Sequence, residues 1–177
     1  AVAATLSINL PFGAAFTVPG TGVLLNDEMD DFAADVQGAN AYGLAGSQAN
    51  VIAGGKRPLS SMSPSFIESV DEFAAFGTPG GSRIPSMVLL SMLEYLDDQP
   101  IGRWPAVARY HHQFLPDVIE HEPDTFSAEQ IAALQKRGHA LKPLERQYGN
   151  QQVLFWNKAS GEVQAASDPR GIGEAAP

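Results

Sequence analysis

The sequence predicts an α+β domain, and three observations carry that expectation. The first ten residues alternate apolar and polar side chains, two helix-like stretches occupy the middle, and two apolar runs flank a turn near the end. A period of two puts alternate side chains on opposite faces of a strand, whereas recurrence at three and four residues belongs to a helix. Strands towards both ends with helices between them fit α+β layers.

Val2, Ala4, Leu6, Ile8 and Leu10 share one face of the first predicted strand, and Ala3, Thr5, Ser7 and Asn9 share the other. This strand starts at residue 1 without lead-in, as though cut within an element. Pro11-Phe12-Gly13 breaks it, Pro19-Gly20-Thr21-Gly22 makes a turn, and Val23-Leu24-Leu25 reads as a short buried run. Residues 37–50 carry one aromatic, Tyr42, and no periodicity, which predicts either disorder or a functional loop. Residues 66–70 and 73–76 predict a hairpin around Asp71-Glu72. Residues 85–96 have helical spacing with a proline in the first turn. Ser127-Ala128-Glu129-Gln130 is a capping box opening a second helix that runs to Arg137 and stops at Gly138. Residues 153–156 and 162–166 predict a closing hairpin, and Asp168-Pro169-Arg170-Gly171 a turn that begins a frayed tail.

A chain of 177 residues suits a single domain, expected here over residues 1–177, and can bury a sizeable core. Its net charge of −9, with 11 scattered basic residues, argues against nucleic acid as a partner. The absence of cysteine excludes disulfides, thiol catalysis and Cys-ligated zinc. No apolar run reaches the roughly 18–20 residues of a membrane span, and no basic-then-apolar signal segment is present.

Candidate chemistry concentrates in loops. Ser60 and Ser61 lie between Pro58 and Pro64, where a stiff backbone leaves little entropy to lose on binding an anion or amide. Asp27, Glu28, Asp30 and Asp31 form an acidic cluster, either a solvated loop or a holder for an α-ammonium group. It lacks the spacing of a calcium loop. The glycines of Gly77-Thr78-Pro79-Gly80-Gly81-Ser82 precede a helix, leaving N–H groups bare for an anion or oxyanion, and no Walker lysine follows. His111 and His112 are adjacent and point to opposite faces, and His121 and His139 have no ligand spacing, so no metal is expected. Ser7, Asn9, Glu28, Asp31, Ser60, Ser61, Gly80 and Gly81 together suit an amino acid gripped by both charged ends beside a developing oxyanion. A nucleophile with an attendant base is missing, and no G-x-S-x-G occurs.

Residues 24–32, 56–64 and 79–83, followed by Arg109-Tyr110-His111-His112-Gln113 and Ala166-Ser167-Asp168-Pro169-Arg170, resemble the small subunit of the γ-glutamyltranspeptidases in five ordered motifs spanning the chain. The resemblance implies the N-terminal-nucleophile (Ntn) hydrolase fold, an αββα four-layer sandwich, of which this is the small-subunit portion. It implies a precursor that cuts itself before a threonine, whose hydroxyl attacks the γ-glutamyl amide of glutathione and related compounds with its own α-amine as base. Water or an acceptor amino acid or peptide then resolves the acyl-enzyme, and no cofactor or metal enters this chemistry.

Carried over by position, Asn9, Glu28 and Asp31 are similar to the residues holding the glutamyl α-amino group, and Ser60 and Ser61 to the pair on the α-carboxylate. Gly80 and Gly81 match the oxyanion hole, Ser7 a hydroxyl that hydrogen-bonds the nucleophile, and Tyr42 a gating aromatic in a lid loop. The family threonine falls about a dozen residues before Ala1, and the large subunit supplies an arginine, so this polypeptide alone is expected to be inactive. The implied partner is the large subunit of the same precursor, and the implied compartment is periplasmic or secreted. Three alternatives stand beside this reading. They are a related Ntn acylase acting on glutaryl, cephalosporin or poly-γ-glutamyl substrates, a non-catalytic γ-glutamyl-binding homologue, and a structural fragment self-associating through a bare strand edge.

Overall fold

The structure is a computed structural model, described here for residues 2–175. Leu6–Ser61 form one compact unit, and the described residues of 1–5 and 62–177 form a second, larger one.

The larger unit is built on a four-stranded antiparallel sheet. β1 (Ser65–Glu68) and β2 (Glu72–Gly77) are the expected first hairpin, closed by the Ser69 N–H donating to the Glu72 carbonyl at 2.9 Å. β6 (Gln152–Asn157) and β7 (Val163–Ser167) are the expected closing hairpin, and the strand order is β1-β2-β6-β7. The sequence-distant pairing of β2 with β6 sets Ala74 opposite Phe155 and Phe76 opposite Val153. Ala74, Phe76 and Val153 are buried and meet Ile84, Met87 and Val88 of α1 (Ile84–Leu96). Trp104 seals this core against Phe76, Tyr95 and Phe155, with ring centroids 5.2–6.0 Å apart, and its indole N–H donates to the Gln99 carbonyl at 2.8 Å. Each such fully buried side chain contributes about 1.5–3 kcal/mol by leaving water.

α1 starts where expected: Pro85 occupies the first turn, where its missing N–H costs nothing. A 3₁₀ turn over Gly81–Arg83 leads into it. α2 (Ala128–Lys136) carries the reciprocal capping box of Ser127 and Gln130, and Gly138 at φ +93° ends it. A second sheet, unread in the sequence, joins β3 (Tyr110–His111) antiparallel to β4 (Ile119–His121) and β4 parallel to β5 (Leu141–Pro143). Strands of two or three residues are too short to display a period.

Three expectations are corrected. Residues 2–10 form no strand: the alternation is present, but no ladder partner accompanies it among the described residues, and Asn9 turns to φ +69°. Val23 and Leu25 are exposed rather than buried, in a short ribbon where the Val18 N–H donates to the Val23 carbonyl and the Leu25 N–H to the Phe16 carbonyl around a bridge between Thr17 and Leu24. The stretch from Asp168 is not frayed at its start, because Asp168 is buried and Arg170 donates to both Glu122 carboxylate oxygens.

Candidate functional site

In the smaller unit the acidic cluster folds into a 3₁₀ turn, Glu28–Asp31. With three residues per turn, positions i and i+3 eclipse, so Glu28 and Asp31 present their carboxylates on one side. Asp31 is 9% exposed, and its pKa is pushed up to about 6 by burial first and then by the Glu28 carboxylate, against a hydrogen bond from Asn40. Two carboxylates held this way gain most from a cationic partner, which restores the charge balance that burial removes.

The surrounding loop is organised by amide side chains. Asn40 donates to Asp31 Oδ1 at 3.3 Å while its own oxygen accepts from the Tyr42 and Leu44 N–H groups. Asn50 Nδ2 donates to the Asp31 carbonyl at 2.7 Å, and its Oδ1 accepts from the Leu59 N–H at 2.9 Å, tying the acidic turn to the residue before Ser60. Residues 37–50 are therefore an ordered loop, with a bridge between Ala39 and Ala45.

Asp27 draws the start of this unit to the same place. Its carboxylate accepts from the Leu10 N–H at 3.0 Å, and its carbonyl accepts from Asn9 Nδ2 at 3.3 Å. Tyr42 adds its hydroxyl to the Asn9 carbonyl at 3.2 Å, and burial followed by the Asp31 charge raises its pKa. Ser7 Oγ accepts from the Asn9 N–H at 2.8 Å, fixing the left-handed turn at that residue. Asn9, Asp27, Glu28, Asp31, Asn40 and Tyr42 thus converge. Ser61 is half-buried and Ser60 exposed, at the end of the same unit. Glu28 and Asn26 also line a cavity of about 440 Å³ with Met29, Phe32, Ile52 and Lys56.

Asp27, Asn40 and Asn50 were not singled out in the sequence as organisers. The available signal was their type, since Asn and Asp side chains cap backbone turns in loops without periodicity.

Gly80 and Gly81 belong to the larger unit, at φ +150° and +58°. Their N–H groups precede the first helical carbonyls of α1 and so have no intrahelical acceptor. Arg83, two residues on, pairs with Glu120 and lies over the Tyr148 ring, 4.9 Å from its centroid. This arrangement can receive an anion or a developing oxyanion.

His111 is buried, with Nδ1 2.8 Å from Ser86 Oγ and Nε2 2.9 Å from Gln113 Oε1, while His112 points outward to Asp117. Among the described residues no group of three or more His, Cys, Asp or Glu side chains is placed to hold a metal ion, and no helix is long and apolar enough to cross a membrane.

Comparison with known proteins places these features in context. Residues 1–177 match the family model for gamma-glutamyltranspeptidase. The chain is 40% identical over 178 residues to the glutathione hydrolase proenzyme of Pseudomonas aeruginosa, covering 98% of this chain and 31% of that protein. It is 36% identical over 174 residues to the glutathione hydrolase proenzyme of Escherichia coli, covering 97% of this chain and 30% of that protein. Among solved structures, the gamma-glutamyltranspeptidase from Pseudomonas nitroreducens complexed with L-DON superposes with a TM-score of 0.90 at 38% identity, covering 99% of this chain and 92% of that one. The chain therefore spans about 30% of the length of the proenzymes it matches.

Proposed function

This chain belongs to the γ-glutamyltranspeptidase family, with the α+β fold of the Ntn hydrolases, and from that premise we propose that it is the small-subunit part of a γ-glutamyltransferase and glutathione hydrolase. The complete protein would transfer the γ-glutamyl group of glutathione or a related amide to water or to an acceptor amino acid or peptide. The carrying observation is the Glu28–Asp31 pair, in which burial and the Glu28 carboxylate raise the pKa of Asp31, bordered by Asn9 and Tyr42. An α-ammonium group matches that pair, and a glutaryl group, which has none, does not.

In this reading Asn9, Glu28 and Asp31 hold the ammonium end of the donor, and Ser60 and Ser61 donate to its α-carboxylate. Gly80 and Gly81 supply N–H groups to the tetrahedral oxyanion, stronger there than to the ground-state carbonyl. Ser7 is assigned to hydrogen-bond the nucleophile, and Tyr42 to gate the donor pocket. The nucleophile is assigned to a threonine upstream of Ala1, and the large subunit of the same precursor to the missing part of the site. A periplasmic or secreted location is part of the proposal.

The test follows chromophore release from γ-glutamyl-p-nitroanilide by the full-length protein of the same gene, with and without glycylglycine. Release that rises with glycylglycine and collapses in Ser60→Ala supports the reading. No release from a protein that has nonetheless cleaved itself would send the assignment to the acylases.

A further inference from the structure

The Gly80–Gly81 turn has a specific support beneath it. Met87, one turn into α1, is fully buried, and its unbranched side chain runs between two glycines from separate segments. A Cβ at Gly80 would overlap the Met87 Cε methyl, and a Cβ at Gly149 would lie 2.6 Å from Met87 Sδ. Both glycines have positive φ, +150° and +90°, so neither position readily accepts an L side chain. The thioether therefore occupies space that two backbones leave open.

What lies behind Gly149 is densely hydrogen-bonded. The Arg109 guanidinium also closes on Gly149 and is itself fixed by Asp168 at 2.5 Å, by the Pro105 carbonyl at 2.8 Å and by the Tyr148 carbonyl. On the other flank, Arg83 is held by Glu120 and by the Tyr148 ring. Gly80 thus rests on a methyl group whose far side bears on this hydrogen-bonded wall.

We propose that Met87 is a positioning residue for the Gly80–Gly81 N–H groups: it fixes their direction without touching the substrate. This rests on the reading of those glycines as the oxyanion hole. Methionine suits the task because an unbranched chain can reach along a narrow path that a γ- or β-branched side chain would block. A turn that must face a charge present only in the transition state needs such preorganisation, and loosening it lowers turnover more than ground-state binding.

The experiment uses the full-length protein with γ-glutamyl-p-nitroanilide, with rates normalised to the self-cleaved fraction on a gel. Met87→Ala is expected to lower kcat about 10–100-fold with KM within about twofold, and Met87→Leu to fall between it and the unaltered protein. Val88→Ala, equally buried in the next position of α1, is the control for core damage. It should lower the melting temperature comparably while leaving kcat within about twofold. An unchanged kcat in Met87→Ala, or an equal loss in Val88→Ala, overturns the assignment while leaving the oxyanion reading in place. Should Met87→Ala fail to mature, Met87→Leu decides, and a kcat equal to that of the unaltered protein overturns the proposal. No release by the unaltered protein overturns the functional reading first, and this assignment with it.

Discussion

At Asp31, burial and the neighbouring Glu28 carboxylate both disfavour the charged form, lifting the pKa from 3.8 to about 6. In the unfolded chain the group titrates near its ordinary value, so between about pH 4 and 6 the folded state binds the extra proton. The resulting stabilisation is fully present below about pH 4 and is lost as pH rises through 6. Asp31→Asn, neutral throughout and nearly isosteric, should therefore stabilise the chain at pH 7 by roughly 1–3 kcal/mol and change little at pH 4. Urea unfolding at the two pH values checks this. Ligand binding should respond oppositely. An α-ammonium needs the ionised carboxylate, so donor KM should rise as pH falls through about 6, and Asp31→Asn should raise it at pH 7 by about 10–100-fold. Under the proposed function, Asp31 would be unfavourable to the fold and favourable to the donor's ammonium group, the trade-off expected at a ligand site.

Among the elements, those with their own punctuation were legible in the sequence. The two hairpins carry their turns at residues 69–72 and 158–161, and both helices announce their starts through Pro85 and Ser127. The first predicted strand failed because alternation specifies which face is apolar but not which neighbour completes the ladder. β3, β4 and β5 escaped notice for a related reason, since their pairing joins residues 9 to 22 positions apart rather than following any local pattern. Ser127 offers a clean local test: its Oγ accepts from the Gln130 N–H at 3.2 Å, while Gln130 Oε1 accepts from the Ser127 N–H at 2.8 Å. No residue of α2 is buried, so the cap carries an unusual share of its stability. Ser127→Ala should cost about 1 kcal/mol in urea unfolding, and Ser127→Gly only a few tenths.

Across the whole molecule, the least legible feature is the ionic cluster that Arg109, Glu122, Asp168 and Arg170 build from widely separated segments. Charged residues in a sequence read as solvent-facing, and nothing local says that Arg109 will be 0% exposed and paired with a carboxylate 59 residues away. The motifs containing Arg109, Asp168 and Arg170 were visible as resemblance, but their physical role was not.

Burial alone raises the pKa of Asp168. The Gln151 and Arg170 N–H groups and the Arg109 guanidinium outweigh it and hold the carboxyl below the usual carboxylate range. Its stabilisation is thus present above the ordinary value of 3.8 and is lost as pH falls through the lowered one. Asp168→Ala strands Arg109 without its carboxylate in a site closed to water and should cost about 3–5 kcal/mol. Replacing both partners, with Arg109→Met and Asp168→Leu, removes the uncompensated charge and should cost clearly less than the sum of the single changes. A double-mutant cycle by urea unfolding at pH 7 measures that difference, and additive losses would show that the two side chains act independently. The coupling should shrink as pH falls through the lowered pKa of Asp168, because protonation removes its attraction for the Arg109 cation.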